Sequence, residues 1–150
     1  MFTRSGSIHI DAPAETVFDY VADLARHPEW AAQPMTVKVE GPLAVGTRYT
    51  SDVQFMGHPQ GRGQILEVDT PRRFAFDATD SSGHYKWFFN IRPEGSGVNL
   101  EYGFDRLAAP LPFTLLQGLV FWPMFGSKWT AQSLAKIKAT CEATAKAASA

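Results

Sequence analysis

The sequence predicts an α+β domain built on a curved antiparallel sheet, and three observations lead there. Apolar residues recur at helical spacing in only two places, near the N-terminus and at the C-terminal end. Between them, stretches of two-residue alternation follow one another with short turn-rich links, which makes consecutive strands antiparallel neighbours. Finally, the 21 residues 107–127 contain no ionisable side chain yet carry Leu115, Leu116, Leu119, Val120, Phe121, Trp122, Met124 and Phe125, so other surface must cover them.

In order along the chain, Ile8 and Ile10 alternate with Ser7 and His9 as in a half-buried strand. Asp11 is placed to cap a following helix, with Pro13 in the first turn and Glu15 near the positive end of the dipole. The spacing predicts a helix over about 14–24 that buries Val17, Val21 and Leu24, widened by Phe18 and Ala22, with Glu15, Asp19 and Asp23 in water. His27-Pro28 interrupts it, and Pro28-Glu29-Trp30 starts a second short helix carrying Trp30 inward.

Strand periodicity starts at Thr36. Val37 and Val39 lie on a first segment ended by Gly41-Pro42, and Gly46 opens a longer one with Tyr49, Val53 and Phe55 on one face and Arg48, Thr50, Asp52 and Gln54 on the other. The stretch 57–63 reads as a hairpin tip, and adjacent Ile65 and Leu66 call for a bulge nearby. Phe74 and Phe76 share a face before the 80–83 turn. Tyr85, Trp87, Phe89 and Ile91 share another, and after the turn at 93–97 so do Val98, Leu100, Tyr102 and Phe104. That makes about seven strands, with helices only after the first strand and at the end.

The stretch from 106 to 138 then reads as one long C-terminal helix, apolar all round first and amphipathic after Lys128. Its uncharged part matches the length of a membrane span, about 20 residues. Pro110, Pro112, Pro123 and Gln117 interrupt it and no one-sided basic cluster flanks it, which argues for a core helix or a cavity roof instead. Pro123 cannot donate to the carbonyl of Leu119 and is expected to bend the helix.

Composition limits the function. A 150-residue chain of net charge −1, with 14 basic and 15 acidic residues, is expected to form one domain over 1–150 and to bind no nucleic acid. No apolar run follows the arginine near the N-terminus, and the lone Cys141 has no internal disulfide partner; both fit a cytoplasmic protein, with Cys141 buried as a small apolar residue. Four histidines, His9, His27, His58 and His84, show no metal-ligand spacing, and neither a metal nor another cofactor is expected. His9 and His27 read as surface residues, while His58 and His84 fall at turns where they could line a cavity mouth or simply meet solvent.

Several motifs together resemble one family. These are Ile8-x-Ile10-Asp11-Ala12-Pro13-Ala14-Glu15-x-Val17-Phe18, Asp23-Leu24-x-x-x-Pro28-Glu29-Trp30, Val45-Gly46-Thr47-Arg48-Tyr49, Pro71-Arg72-Arg73-Phe74, Gly97-Val98-Asn99-Leu100 and Ser133-Leu134-Ala135-x-Ile137-Lys138. They are similar to the START-like, or SRPBCC, superfamily, in particular its bacterial polyketide cyclase/dehydrase branch, from Ile8 to about Glu142. The resemblance implies a helix-grip fold, in which the sheet wraps the C-terminal helix and two short helices close one end of a deep apolar cavity near Trp30. It does not imply one chemistry, since the superfamily includes lipid and quinone carriers as well as aromatase/cyclases.

The expected ligand is therefore a hydrophobic small molecule such as a lipid, quinone, isoprenoid or polyketide. The residues expected to touch it are Trp30, Tyr49, Val53, Phe55, Trp87, Phe89, Tyr102, Phe104, Leu119, Trp122, Phe125 and Trp129. Trp122, Phe125 and Trp129 form a helical stripe that either roofs the cavity or, if outward, makes a patch for a membrane or partner. Transient membrane contact through 110–126 and a monomer or homodimer are the expected associations. The alternative is a cyclase or dehydratase using Tyr49, Tyr102 or His84 for proton transfer. Cyclases of this family are expected to carry an inward arginine on the middle strands; the stretch 64–68 has none, Arg48 shares the polar face of its strand, and Arg62 sits near a turn.

Overall fold

A computed structural model describes residues 2–54 and 59–150. Seven strands form one antiparallel sheet: β1 (Phe2–Ile10), β2 (Met35–Val39), β3 (Arg48–Val53), β4 (Gln60–Asp69), β5 (Arg73–Asp80), β6 (Gly83–Glu94) and β7 (Gly97–Ala108). Their order is β1-β7-β6-β5-β4-β3-β2, a meander from β2 to β7 with β1 added to its far edge. Two short helices, α1 (Ala14–Val21) and α2 (His27–Trp30), lead from the β1 edge to the β2 edge. The chain closes with an unbroken helix of α3 (Leu111–Leu116), a π-helical segment (Gln117–Gly126) and α4 (Ser127–Ser149). This is the α+β helix-grip architecture expected from the motifs.

Two-residue alternation places one set of strand side chains against the helices. Phe74, Phe89 and Tyr102 lie side by side across β5, β6 and β7, as do Phe76, Trp87 and Phe104 one step along. Opposite Tyr102 on β1 stands Gly6, where an added Cβ would lie 3.1 Å from Thr130 and 3.5 Å from Leu134 of α4, so this is the inner face. On α1, Val17, Phe18 and Val21 are buried, and with Ile10, Trp30, Leu134, Ile137 and Cys141 they complete the core. Each large side chain so buried contributes about 1.5–3 kcal/mol. Burial also pushes the Cys141 thiol up to about 12, as a structural cysteine requires.

Several local expectations are revised. β1 begins at Phe2 rather than Ser7, because pairing with β7 continues to Arg106 and supplies backbone partners that alternation in a short window does not reveal. Asp11 does not cap α1: Pro13 occupies that position, while the Asp11 carboxylate meets His9 Nε2 at 2.8 Å. α1 stops at Val21, and a 3-10 turn, Leu24–Arg26, capped by Asp23, leads into α2. The bulge lies between Ile65 and Glu67, and Gln60–Gly63, expected in a hairpin tip, belong to β4; Phe55 and His58 lie outside the described residues. Pro123 sits within the π-helical turn region, so the missing donor is absorbed by wider winding; Ser127 N donates to Trp122 O, five residues back.

His27, expected at the surface, is half-buried. Its ring stacks on Trp30 at 4.0 Å and Nδ1 is closed off without a partner. Burial lowers its pKa to about 4. A histidine depressed in the folded state takes up its proton first when unfolded, so its contribution is complete above about pH 6.5 and is lost between there and pH 4. The loss is expected to reach about 3 kcal/mol. Urea melts of the wild type and His27→Phe across this range check it; parallel pH profiles for the two proteins would refute the assignment.

Candidate functional site

The inner face is an almost unbroken surface of rings. Phe89 and Tyr102 stack at 4.7 Å, Trp87 and Tyr102 at 5.5 Å, and Trp87 meets Phe104 at 5.0 Å. Trp30 arrives from α2 edge-on to both Phe89 and Tyr102, at 5.5 and 5.4 Å. Tyr49 joins through Phe76 at 5.9 Å, and Trp122 comes down from the π-helical segment onto Phe104, also at 5.9 Å. Seven of the twelve residues named from the sequence thus meet in one cluster: Trp30, Tyr49, Trp87, Phe89, Tyr102, Phe104 and Trp122.

The others are placed apart. Val53 is half-buried at the end of β3. Phe125 and Trp129 gather around Phe121, at 6.0 Å from each other, so the helical stripe divides between Trp122 facing the sheet and this second aromatic group. Leu119 turns outward, 76% exposed. It has company: Leu111, Phe113, Leu115, Leu116, Val120, Met124 and Phe125 are exposed as well. The first half of the long helix therefore presents an apolar outer surface, while α4 packs on β1 and the short helices.

Polar groups are few on this face. Tyr49 donates its hydroxyl to the carbonyl of Asp77 at 2.6 Å, and burial, with the Asp77 carboxylate adding to it, raises its pKa. Burial raises that of Tyr102 as well. Both stay protonated at neutral pH, so they can donate a hydrogen bond but cannot serve as bases. The Trp30 indole Nε1 is buried without a partner. His84 lies on the opposite face of the sheet, where its Nε2 meets Asp77 Oδ2 at 2.9 Å. The three proton-transfer groups named from the sequence are thus split between the two faces.

Two arginines do face inward at the end of the ring surface. Arg106 continues the parity of Tyr102 and Phe104 on β7, pairs with Phe2, and donates from Nη1 to Thr114 O at 3.3 Å and Gln117 Oε1 at 3.2 Å. Gln117 Nε2 in turn reaches the Tyr85 hydroxyl at 3.4 Å. Arg4 shares the inner parity of β1. Sequence reasoning passed over both, although the alternation Val98, Leu100, Tyr102, Phe104 already points to 106. Arg48 and Arg62 are exposed, as expected.

Two hollows border the sheet. One of about 220 Å³ runs between β1 and the helix, lined by Gly6, Ile8, Trp122, Thr130, Ala131 and Leu134 among others. The larger, about 710 Å³, is an open groove among hydroxyl and charged residues of β2–β5, including Thr50, Asp52, Arg62 and Thr79. Size favours the second, chemistry the first, because only the first adjoins the ring cluster through Trp122. Among the described residues no helix is long and apolar enough to cross a membrane.

A family model described as polyketide cyclase/dehydrase and lipid transport matches residues 1–142. No curated protein matches by sequence. Among solved structures, the chain is similar to TTHA0849 from Thermus thermophilus, with 23% identity, 99% and 100% of the two chains covered, and a TM-score of 0.71. The di-domain ARO/CYC StfQ from the steffimycin biosynthetic pathway is 12% identical with a TM-score of 0.77, the match covering 96% of this chain and 51% of that one. The Aha1 dimer from Colwellia psychrerythraea gives 14% identity, 95% and 97% coverage and a TM-score of 0.63. At these identities the likeness is one of fold.

Proposed function

Because this chain belongs to the polyketide cyclase/dehydrase and lipid transport family, we propose that it binds a hydrophobic small molecule, of lipid, quinone, isoprenoid or polyketide type, between the inner face of the sheet and the C-terminal helix. It would act there as a carrier or sensor. The observation that carries this reading is the ring cluster bordered by an uncharged helical segment, 111–126, most of whose large side chains are left in water. Exposed apolar surface costs about 25 cal/mol per Å², so that segment is stabilised by whatever covers it. A bound ligand covers its inner side, and a bilayer surface, touched during loading, covers its outer side. A homodimer is the other way to cover it; the Aha1 neighbour is itself a dimer.

A cyclase or dehydratase in the same place would need a base and an oxyanion holder together. The raised pKa values of Tyr49 and Tyr102 supply donors, and His84 faces away. The binding reading therefore takes precedence over the enzymatic one.

Native mass spectrometry of the purified protein is expected to show a removable adduct of a few hundred daltons. Nile red held by the extracted protein is expected to be displaced by lipids. In flotation the protein should rise with vesicles, and Leu119→Asp with Phe125→Asp should leave it in the aqueous fraction. If nothing co-purifies and no lipid displaces the dye, the proposal fails; a dimer in solution that does not float would replace the bilayer with a second copy.

A further inference from the structure

Resting on that reading, we infer that the ligand is an amphipathic acid whose anionic head is held by Arg4 and Arg106, two guanidiniums gathered on the ring of Phe2. The guanidinium carbon of Arg4 lies 4.2 Å from the Phe2 ring centroid and that of Arg106 4.3 Å from the same centroid. The two cations are thus within twice that distance of each other, and each is only half-buried. Neither has a carboxylate partner among the described residues, unlike Arg26, Arg72, Arg73 and Arg92, which all pair with acids. The nearest acid in sequence, Asp105, sits on the other face of the sheet and accepts the Thr3 hydroxyl at 2.6 Å.

Two like charges on one ring repel, and the attraction of each for the ring opposes that repulsion without removing either charge. An anion within reach of both turns the repulsion into attraction. A contact between the guanidinium carbon and a ring uses none of the N–H groups, the donors that grip a carboxylate or phosphate in pairs. Arg4 uses one nitrogen, donating to Thr3 O at 2.9 Å, and Arg106 uses one, Nη1, so other donors on both remain free.

The location suits a head group whose tail is apolar. Phe2 contacts Phe104 of the ring cluster at 6.2 Å, and a Cβ added to Gly118 would lie 3.4 Å from the Phe2 ring, so the cation pair sits where the ring surface meets the π-helical segment. The 220 Å³ hollow starts at Ser5, next along β1 from Arg4. A head at the arginines thus leaves its tail adjoining Trp122 and Leu134.

The test is displacement of Nile red by dodecanoate and by dodecanol, both below their aggregation limits, from wild type, Arg4→Gln, Arg106→Gln and the two lysine variants. We expect the wild type to bind the acid about tenfold or more tightly than the alcohol. Each glutamine variant should lose most of that preference, with a thermal melt matching the wild type to certify its fold. Lysine should restore part of the preference. Equal affinity of the wild type for acid and alcohol overturns this inference and leaves the hydrophobic-ligand reading standing, whereas failure of both compounds to bind overturns both. Phosphatidylcholine vesicles with and without phosphatidylglycerol separate a free acid from a bilayer head group. If the glutamine variants lose only vesicle binding and keep the acid preference, the arginines serve the bilayer and the inference is wrong.

Discussion

Trp30→Ala is expected to lower the unfolding free energy by about 3–5 kcal/mol, equivalent to roughly 6–20 °C in Tm for a chain of this size. Trp30 is 1% exposed and stands where α2 meets the sheet, stacked on His27 and edge-on to Phe89 and Tyr102, so truncation opens a cavity that three fixed rings cannot collapse to fill. Trp30→Phe separates volume from hydrogen bonding. It removes a buried indole N–H that has no partner, and relieving such a group, which costs about 1–3 kcal/mol, offsets much of the lost packing. Thermal melts of both variants decide the matter: equal losses for Phe and Ala would mean that the N–H is satisfied in solution, for instance by the ligand.

Gly63→Ala is expected to cost about 2–4 kcal/mol. Gly63 lies on β4 opposite Tyr49, where a Cβ would fall 1.9 Å from the carbonyl oxygen of Asp77 and 2.8 Å from Cε1 of Tyr49. The backbone oxygen cannot move aside without opening the β4–β5 pairing, and the same oxygen accepts the Tyr49 hydroxyl, so one methyl group disturbs a strand contact and a buried hydrogen bond together. Gly95→Ala is the comparison: φ is 61° there and nothing lies within 4 Å, so only backbone strain of about 1–2 kcal/mol is added. Chemical denaturation that ranks Gly95→Ala as the worse of the two would refute the clash.

How much of the site was legible depended on the range of the signal. Parity along a strand is local, so the spacing of Trp87, Phe89, Tyr102 and Phe104 is enough to assign them to one face, and the same parity carried one step further includes Arg106. The helix start at Pro28-Glu29-Trp30 likewise put Trp30 inside. The three-residue spacing from His27 to Trp30 held the clue to their stacking, yet a histidine before a proline reads as a chain break when nothing local reveals the sheet that closes over it. Asp11 shows the opposite failure. Its residue type suits a cap, but its carboxylate goes to His9, two residues back along the chain, and its N–H donates to Glu142, which α4 brings to the end of β1.

By itself the sequence determined the order of elements, the seven-strand count, the aromatic inner face and the family motifs, because all of these are written in spacings of two to four residues. Only the tertiary structure decided which side of the C-terminal helix meets the sheet. A segment apolar all round carries no periodicity to orient it, so the division between Trp122 against Phe104 and Leu119 in water follows from where the β1–β7 edge lies beneath the π-helical winding. The meeting of Arg4 and Arg106 on Phe2 has the same origin: residues about a hundred positions apart become neighbours only when β1 closes onto β7.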